Sequence, residues 1–539
     1  MGTHGSGEQG LRGLEGAARS SVDQGRFGRL FRSLPRAGHT EEALHRLAAS
    51  MIDPDKEDQP ITEAEPDDEN PTIPSGFTYL GQFIDHDITF DPVSILQARN
   101  DPDALSDFRT PRLDLDSLYG RGSADQPYLF ERHDPIDMPA GDTARFLLGE
   151  ERRPDSVAPS RPDLPRNGEG LALIGDPRND ENTVVSQLQS LVLRFHNRML
   201  TIVPNTLGAT AQLLETQRQV RWHYQWIVLH DFLPHIVGQD MANEVLAGRD
   251  GMPKLEFYRP KNDPFMPVEF SVAAYRYGHS MIRPSYSLSS DVLRGSDATK
   301  NRVPIFSAEP DALANLRGFR PLPPSWGIDW SFFYPDLPAP PAAKPDGNPY
   351  AQEPGKPLLI PQPSYRIDTV LVDPLAHLPG DPVIMGPSGQ LTTSLPERNL
   401  QRGRALGLPS GQAVAKRLGV QPLADAEIWS NANDEELDAS RKQILGAFPQ
   451  FEGNAPLWFY ILREAEGTRR QGVDDPNPRG GHHLGPVGGR IVAEVLVGLV
   501  LHDHHSYLYQ DPLWQPRKEV APRESKFEMS DLITFTDGG

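Results

Sequence analysis

Apolar residues recur at three- and four-residue spacing between Thr183 and Met199, where Val185, Leu188, Val192, Phe195 and Met199 form one stripe. That pattern predicts an amphipathic helix. A second helix is expected over Arg221–Val237, around Trp222, Trp226 and Phe232, and others over Phe270–Ile282, Ala424–Leu445 and Arg490–Leu501. Alternating, strand-like patterns are rare and short. Ten prolines between Pro335 and Pro363 exclude regular helix or sheet there, so this stretch reads as an extended, partly polyproline-like connection. The expected fold is mostly α: a single large helical domain over residues 73–539 with long ordered loops and little β. Residues 1–72 read as an arm and acidic linker. Leu30, Phe31 and Leu34 offer the arm a docking surface, and a helix fits near residues 40–51. Residues 53–69 carry nine acids and one lysine, a solvated composition.

Composition narrows the function. The 539-residue chain has 53 basic and 74 acidic residues, a net charge of −21 that disfavours nucleic acid and anionic membranes as partners. It has no cysteine, which excludes disulfides, thiolate catalysis, iron–sulfur clusters and cysteine-bound zinc. No apolar run reaches membrane-spanning length, and MGTHGSGEQG lacks a basic-then-apolar leader. The expected location is therefore cytoplasmic, or exported without a recognisable signal. Gly2 with Ser6 fits a loose myristoylation pattern, although a Gly-rich disordered start explains it equally simply.

Four short segments carry candidate chemistry. In YLGQFIDHDITFDP, a helix puts Gln82, Asp85 and His86 on one face, with Asp87 about 100° away. Such a cluster suits either a polar helix end or an Asp–His–Asp metal site. In RTPRLDLDSLYG, Thr110, Asp114 and Asp116 offer the hard oxygens that calcium prefers, though Asp-rich turns are common without one. GDPRNDEN places Arg178 and Glu181 three apart, as in an ordinary surface ion pair, and Asn179 or Asp180 suits a helix start. AAYRYGHSMIRP sets His279 in an apolar helix, the position of a structural core histidine or of a ligand. A cluster of His502, His504 and His505 reads as a helix end rather than a metal site.

Taken in order, these segments resemble the core motifs of the animal-type haem peroxidases, in the peroxidase–cyclooxygenase superfamily. GQFIDHDITF is similar to the distal-helix signature. The resemblance implies that Gln82 holds water or halide, Asp85 esterifies a haem methyl, His86 shuttles the peroxide proton and Asp87 binds calcium. It implies calcium ligands at Thr110, Arg112 (backbone carbonyl), Asp114 and Asp116, ahead of Tyr119-Gly120. It makes Arg178 the distal arginine and Glu181 a second ester. Arg-Tyr-Gly-His presents the proximal iron ligand, His279, preceded by Arg276 as a haem contact. RNLQRGRALGLP supplies Asn399 to hold its ring and Arg402 as a propionate partner. Asn182 stands where the mammalian granulocyte enzyme has a methionine, so no sulfonium link can form.

The implied protein contains haem b, possibly ester-linked, and calcium. It would reduce hydrogen peroxide and oxidise halide, thiocyanate or small aromatic donors through a ferryl intermediate. Two rivals remain: a fatty-acid dioxygenase-like haem enzyme, and a non-catalytic binding protein on a peroxidase scaffold. The first needs a tyrosine three residues before the proximal histidine; Arg276 occupies that position, with Tyr275 and Tyr277 out of register.

Overall fold

The computed structural model describes residues 25–53, 68–89, 106–131, 145–152, 161–248, 252–289, 302–306, 315–338, 361–379, 384–385, 391–469, 472, 480–521 and 526–538, apart from 108, 121, 123–125, 207, 262 and 432–433. The myristoylation pattern, the acidic run over 54–67 and most of the proline-rich stretch lie outside these residues.

The described chain is mostly helical, as the apolar spacing predicts. Eight helices matter for the site: α1 (Glu41–Ala49), α2 (Gly76–Ile88), α3 (Thr183–Met199), α4 (Ala209–Ile227), α5 (Leu395–Ala405), α6 (Leu457–Glu466), α7 (Pro486–Leu501) and α8 (Met529–Asp537). Helix α7 is apolar on all sides and runs through the core. From Val487 to Val500 only Arg490 escapes burial. Helices α2 and α3 pack against each other, as do α6 and α7, and α8 covers α3.

The strands are short and act as ties. β1 (Gly25–Gly28) pairs antiparallel with β2 (Ser106–Asp107) and parallel with β3 (Met266–Pro267). Ile52–Asp53 pairs with Leu371–Val372, and Glu69–Pro74 with Pro363–Tyr365. Residues 25–53 of the arm are thus built into the body. Phe31, Leu44 and Leu47 are buried, and α1 lies on α5. Glu41 pairs with Arg404, and Arg29 donates to the carbonyls of Leu406 and Gly407 at the end of α5.

Three helix expectations need correction. Phe270–Ile282 is not one helix: an α-turn at Val268–Ser271 breaks, and Ala274–His279 follows as a 3-10 turn. Arg276 Nε donates to the Ser271 carbonyl at 2.9 Å, satisfying a group that a continuous helix would have used itself. Ala424–Leu445 divides into Asp425–Ile428 and Glu435–Ala447, with Asp434 capping the second helix through the Leu437 amide. The Arg221–Val237 helix begins earlier, at Ala209, because the preceding three turns are too polar to show a stripe. It continues to Val237 through a π-turn at Val228–Phe232.

Candidate active site: two histidines across one cavity

Helix α2 delivers the first wall. Its start is wedged tightly: a Cβ at Gly76 would lie 2.6 Å from the Phe333 carbonyl, so only glycine permits this approach. The predicted face holds. Gln82, Asp85 and His86 line a cavity of about 510 Å³, while Asp87 points away and is fully buried.

The GDPRNDEN segment crosses beside α2 as a 3-10 turn over Pro177–Asp180, capped by Asp176. Helix α3 spans Thr183–Met199 as the apolar spacing predicts, but its cap is Asn182 rather than Asn179 or Asp180, accepting from the Val185 amide at 2.9 Å. The freed residues do other work. Asn179, fully buried, lies 2.7 Å from His86 Nδ1 through its Oδ1. Its Nδ2 donates to Gln189 Oε1 at 2.8 Å. Arg178 donates to the His86 carbonyl at 2.9 Å and pairs with Asp176 at 2.7 Å. Burial opposes the Asp176 charge, but Arg178 and Arg109 overcome it and hold this carboxyl down at about 2. Glu181 is not in a surface pair with Arg178: Gln82 Nε2 donates to its Oε1, which also lies 3.6 Å from His86 Nε2. The Asn182 amide donates to Gln82 Oε1 at 3.0 Å, so the residue that caps α3 also ties down Gln82. Burial lowers the His86 pKa, partly offset by Glu181, so the imidazole stays neutral near pH 7.

The 3-10 turn adds to the lining, with Tyr275, Arg276, Tyr277 and His279 on the same cavity. Asn399 on α5 places its amide nitrogen 2.9 Å from His279 Nδ1. Burial, then the neighbouring Arg276 charge, pushes the His279 pKa down to about 3, so this ring is neutral. Arg276 also pairs with Asp85 at 4.0 Å. Arg402 is not among the cavity-lining residues. Arg398, one turn earlier on α5, is, together with Arg317.

Behind α2 lies the acidic loop. Carboxylate oxygens of Asp87, Asp114 and Asp116 lie within 4.8 Å of one another. Thr110 Oγ1 donates to Asp114 at 2.8 Å, the Thr110 amide to Asp116 at 3.2 Å, and the Asp116 amide to Asp114 at 3.1 Å. Asp87 accepts from the Leu115 amide and the Ser117 hydroxyl. Leu115 takes a left-handed backbone (φ 57°), strained for a branched-chain residue, to fold the loop over Asp87. Burial, then the Asp114 charge, pushes Asp87 up to about 7, and the same causes raise Asp116 well above the carboxylate range. Asp116 Oδ1 is buried with no hydrogen bond among the described residues and faces the Arg109 guanidinium at 3.5 Å. Three crowded acids with the Arg109 cation beside them fit a hard divalent ion. The Arg112 side chain turns away, towards Asp263 and Asp503, which leaves only its backbone for such a site.

Sequence reasoning missed Asn179, Gln189, Asp176, Arg109, Arg317 and Arg398. Asn179 was visible, but its type suits a helix start so well that the local reading hid the longer-range partner.

Comparison with known proteins agrees with this geometry. Residues 96–322 match the model of the animal haem peroxidase family, a span that includes the acidic loop, Arg178, Glu181 and His279. Thyroid peroxidase of Mus musculus is 25% identical over 206 residues, covering 37% of this chain and 21% of that protein. The Homo sapiens protein is 31% identical over 137 residues, covering 25% and 14%. The chain thus matches about a fifth or less of these relatives' length. Among solved structures, peroxidase A of Dictyostelium discoideum shares the fold over 96% of this chain and 94% of its own, with a TM-score of 0.56 at 16% identity. The fatty acid alpha-dioxygenase of Arabidopsis thaliana covers 89% and 73%, with a TM-score of 0.52 at 13% identity. The chain is thus similar to the animal haem peroxidases over residues 96–322, which supply Arg178, Glu181 and His279 to the cavity, and similar in fold to a solved peroxidase and a solved dioxygenase.

Proposed function

We propose that the chain is a haem-dependent peroxidase that reduces hydrogen peroxide and oxidises a halide, thiocyanate or small aromatic donor. The observation that carries this reading is that His86 and His279 line one cavity, each ring held at Nδ1 by a side-chain amide. Its volume of about 510 Å³ falls in the range of cofactor pockets.

His279 would hold the haem iron through Nε2. That requires the proton on Nδ1, so Asn399 must present its oxygen there, a half-turn of the amide that keeps its shape. Arg276, Arg398 and Arg402 are the candidate partners for the propionates. Haem, once bound, supplies the oxidising equivalents that pass from peroxide to donor.

The chain's own groups move the proton. His86 Nε2 accepts the peroxide proton and returns it to the leaving oxygen, a dual role suited to a neutral, fixed imidazole. Arg178, anchored by Asp176, is a fixed cation that stabilises the charge developing as the O–O bond breaks. Gln82 orients water or halide. Asp85 and Glu181, both on the cavity wall, can esterify the haem periphery. Calcium would sit among Asp87, Asp114, Asp116, Thr110 and the Arg112 carbonyl, clamping the far side of α2.

A dioxygenase-like reading draws on one observation: Tyr275 lines the cavity, and its buried hydroxyl has no hydrogen-bond partner. The two readings part in one assay of the haem-loaded chain. Peroxide-dependent oxidation of iodide, bromide, thiocyanate and phenols, abolished by His86→Ala, supports the peroxidase. Oxygen uptake with a long-chain fatty acid, and no turnover of those donors, supports the dioxygenase. Absence of either leaves the non-catalytic scaffold.

A further inference from the structure

We infer that Asn179 is the positioning residue that fixes the tautomer of His86, with Gln189 fixing Asn179 in turn. The inference rests on the proton-transfer role proposed for His86 and adds to it the group that makes one ring nitrogen available.

A neutral imidazole has two tautomers, and only one leaves Nε2 bare to take a proton. Nothing in the ring itself decides between them; the partner of Nδ1 does. Here that partner is a single buried amide. Asn179 is spent at both ends, with Oδ1 at 2.7 Å from His86 Nδ1 and Nδ2 at 2.8 Å from Gln189 Oε1. Because Nδ2 donates to Gln189, Oδ1 is left to accept from Nδ1–H. The proton is then on the far side of the ring, and Nε2, on the Glu181 side, is the acceptor. All three side chains are buried, so water does not compete for these bonds.

Local structure makes this possible. Arg178 is committed to Asp176 and to the His86 carbonyl, which sets the turn against α2. Gln189 stands on α3, two turns beyond its Asn182 cap. The distance between the turn and α3 is therefore read out by one side chain, Asn179, lying across it. Reversing the tautomer requires both amides to turn over together, since Asn179 cannot donate to the ring and to Gln189 Oε1 through one oxygen-and-nitrogen pair.

The test reads the ring directly. In the ¹⁵N-histidine-labelled full chain, long-range ¹H–¹⁵N spectra distinguish Nδ1–H from Nε2–H, with His86→Gln assigning the signals. Spectra are taken haem-free and with haem in the diamagnetic, reduced carbonyl form. The expected result is Nδ1–H at His86 in the unaltered chain. Asn179→Leu, close in shape but without polar atoms, should shift His86 towards Nε2–H. It should slow peroxide consumption by about 10-fold or more, within the range of a positioned acid–base group, while KM for the electron donor and haem content hold. Asn179→Asp, which keeps an acceptor oxygen, should restore both the Nδ1–H signal and most of the rate. An Nε2–H tautomer in the unaltered chain overturns the inference without any variant. So does Asn179→Leu with the Nδ1–H signal and rate unchanged. A haem-loaded chain that never consumes peroxide sinks the peroxidase reading instead, and the haem-free spectra then still decide the tautomer.

Discussion

His86 and His279 share a residue type and a cavity, the proposed function gives them opposite tasks, and their neighbours differ accordingly. His86 sits beside Glu181 and Arg178, with Nε2 3.6 Å from the Glu181 carboxylate; His279 sits beside Arg276 and is held from α5. Replacing His86 with Ala should slow the peroxide-dependent step by at least roughly 10²-fold while leaving haem bound, the loss expected for a positioned acid–base group. Stopped-flow absorbance of the haem-loaded chain after peroxide addition measures it, and a near-normal rate would remove His86 from the mechanism. Asp85 and Glu181 invite a second measurement. Peroxide cycling should leave up to two ester links and no sulfonium, because Asn182 has no sulfur to offer. Acid-acetone extraction followed by mass spectrometry of haem peptides reads this out, and complete extraction after cycling would count against the esters. At this scale the sequence was most legible where motif residues act alone. It was least legible at Asn179, whose role depends on Gln189 from the next helix.

At the scale of elements, the acidic loop and α2 form one unit. Asp87 and His86 are adjacent, so whatever holds Asp87 in place also sets where His86 points. Removing divalent cations with a chelator, or Asp87→Ala, should therefore lower haem retention and peroxide turnover together. Elemental analysis that finds no tightly held calcium in fully active protein would contradict this clamp. Elsewhere, Asp231 in the π-turn accepts from the Met529 amide at 2.8 Å and so fastens α8 to the long helix. Burial, opposed by that hydrogen bond, pushes its carboxyl up to about 7; Glu528 and Asp531 raise it further, Lys526 lowers it, and His235 lies 3.5 Å away. An acid whose folded pKa is raised stabilises the fold most when protonated, so its contribution is full below about pH 4 and is lost as pH rises towards 7. Asp231→Asn, which keeps an acceptor for Met529, should therefore raise the thermal midpoint at pH 8 more than at pH 5. An equal shift at both would show that the carboxyl carries no such penalty. The apolar stripes announced the long helices because burial on one face leaves that mark. The break at Val272–Ala273 left none, since an arginine side chain, not a proline or glycine, takes up the freed carbonyl.

Across the whole molecule, the cavity is lined by segments far apart in sequence: α2, the turn that carries Arg178, residues 305–306 and 316–319, and α5. The arm joins this assembly rather than trailing from it. Arg29 and Glu41 grip α5, the helix that carries Asn399 behind His279. Composition hinted at docking through Leu30, Phe31 and Leu34 but not at the target, because the pairing of β1 with β3 is a contact over more than two hundred residues. The central claim is that this chain holds haem through His279. Titration of the full chain with haem, followed by absorption in the Soret region, tests it most directly. The account predicts saturation at one haem per chain, a spectrum of histidine-ligated iron, and loss or marked alteration of both in His279→Ala. An unaltered chain that takes up no haem, or a His279→Ala chain with the same stoichiometry and spectrum, would contradict it.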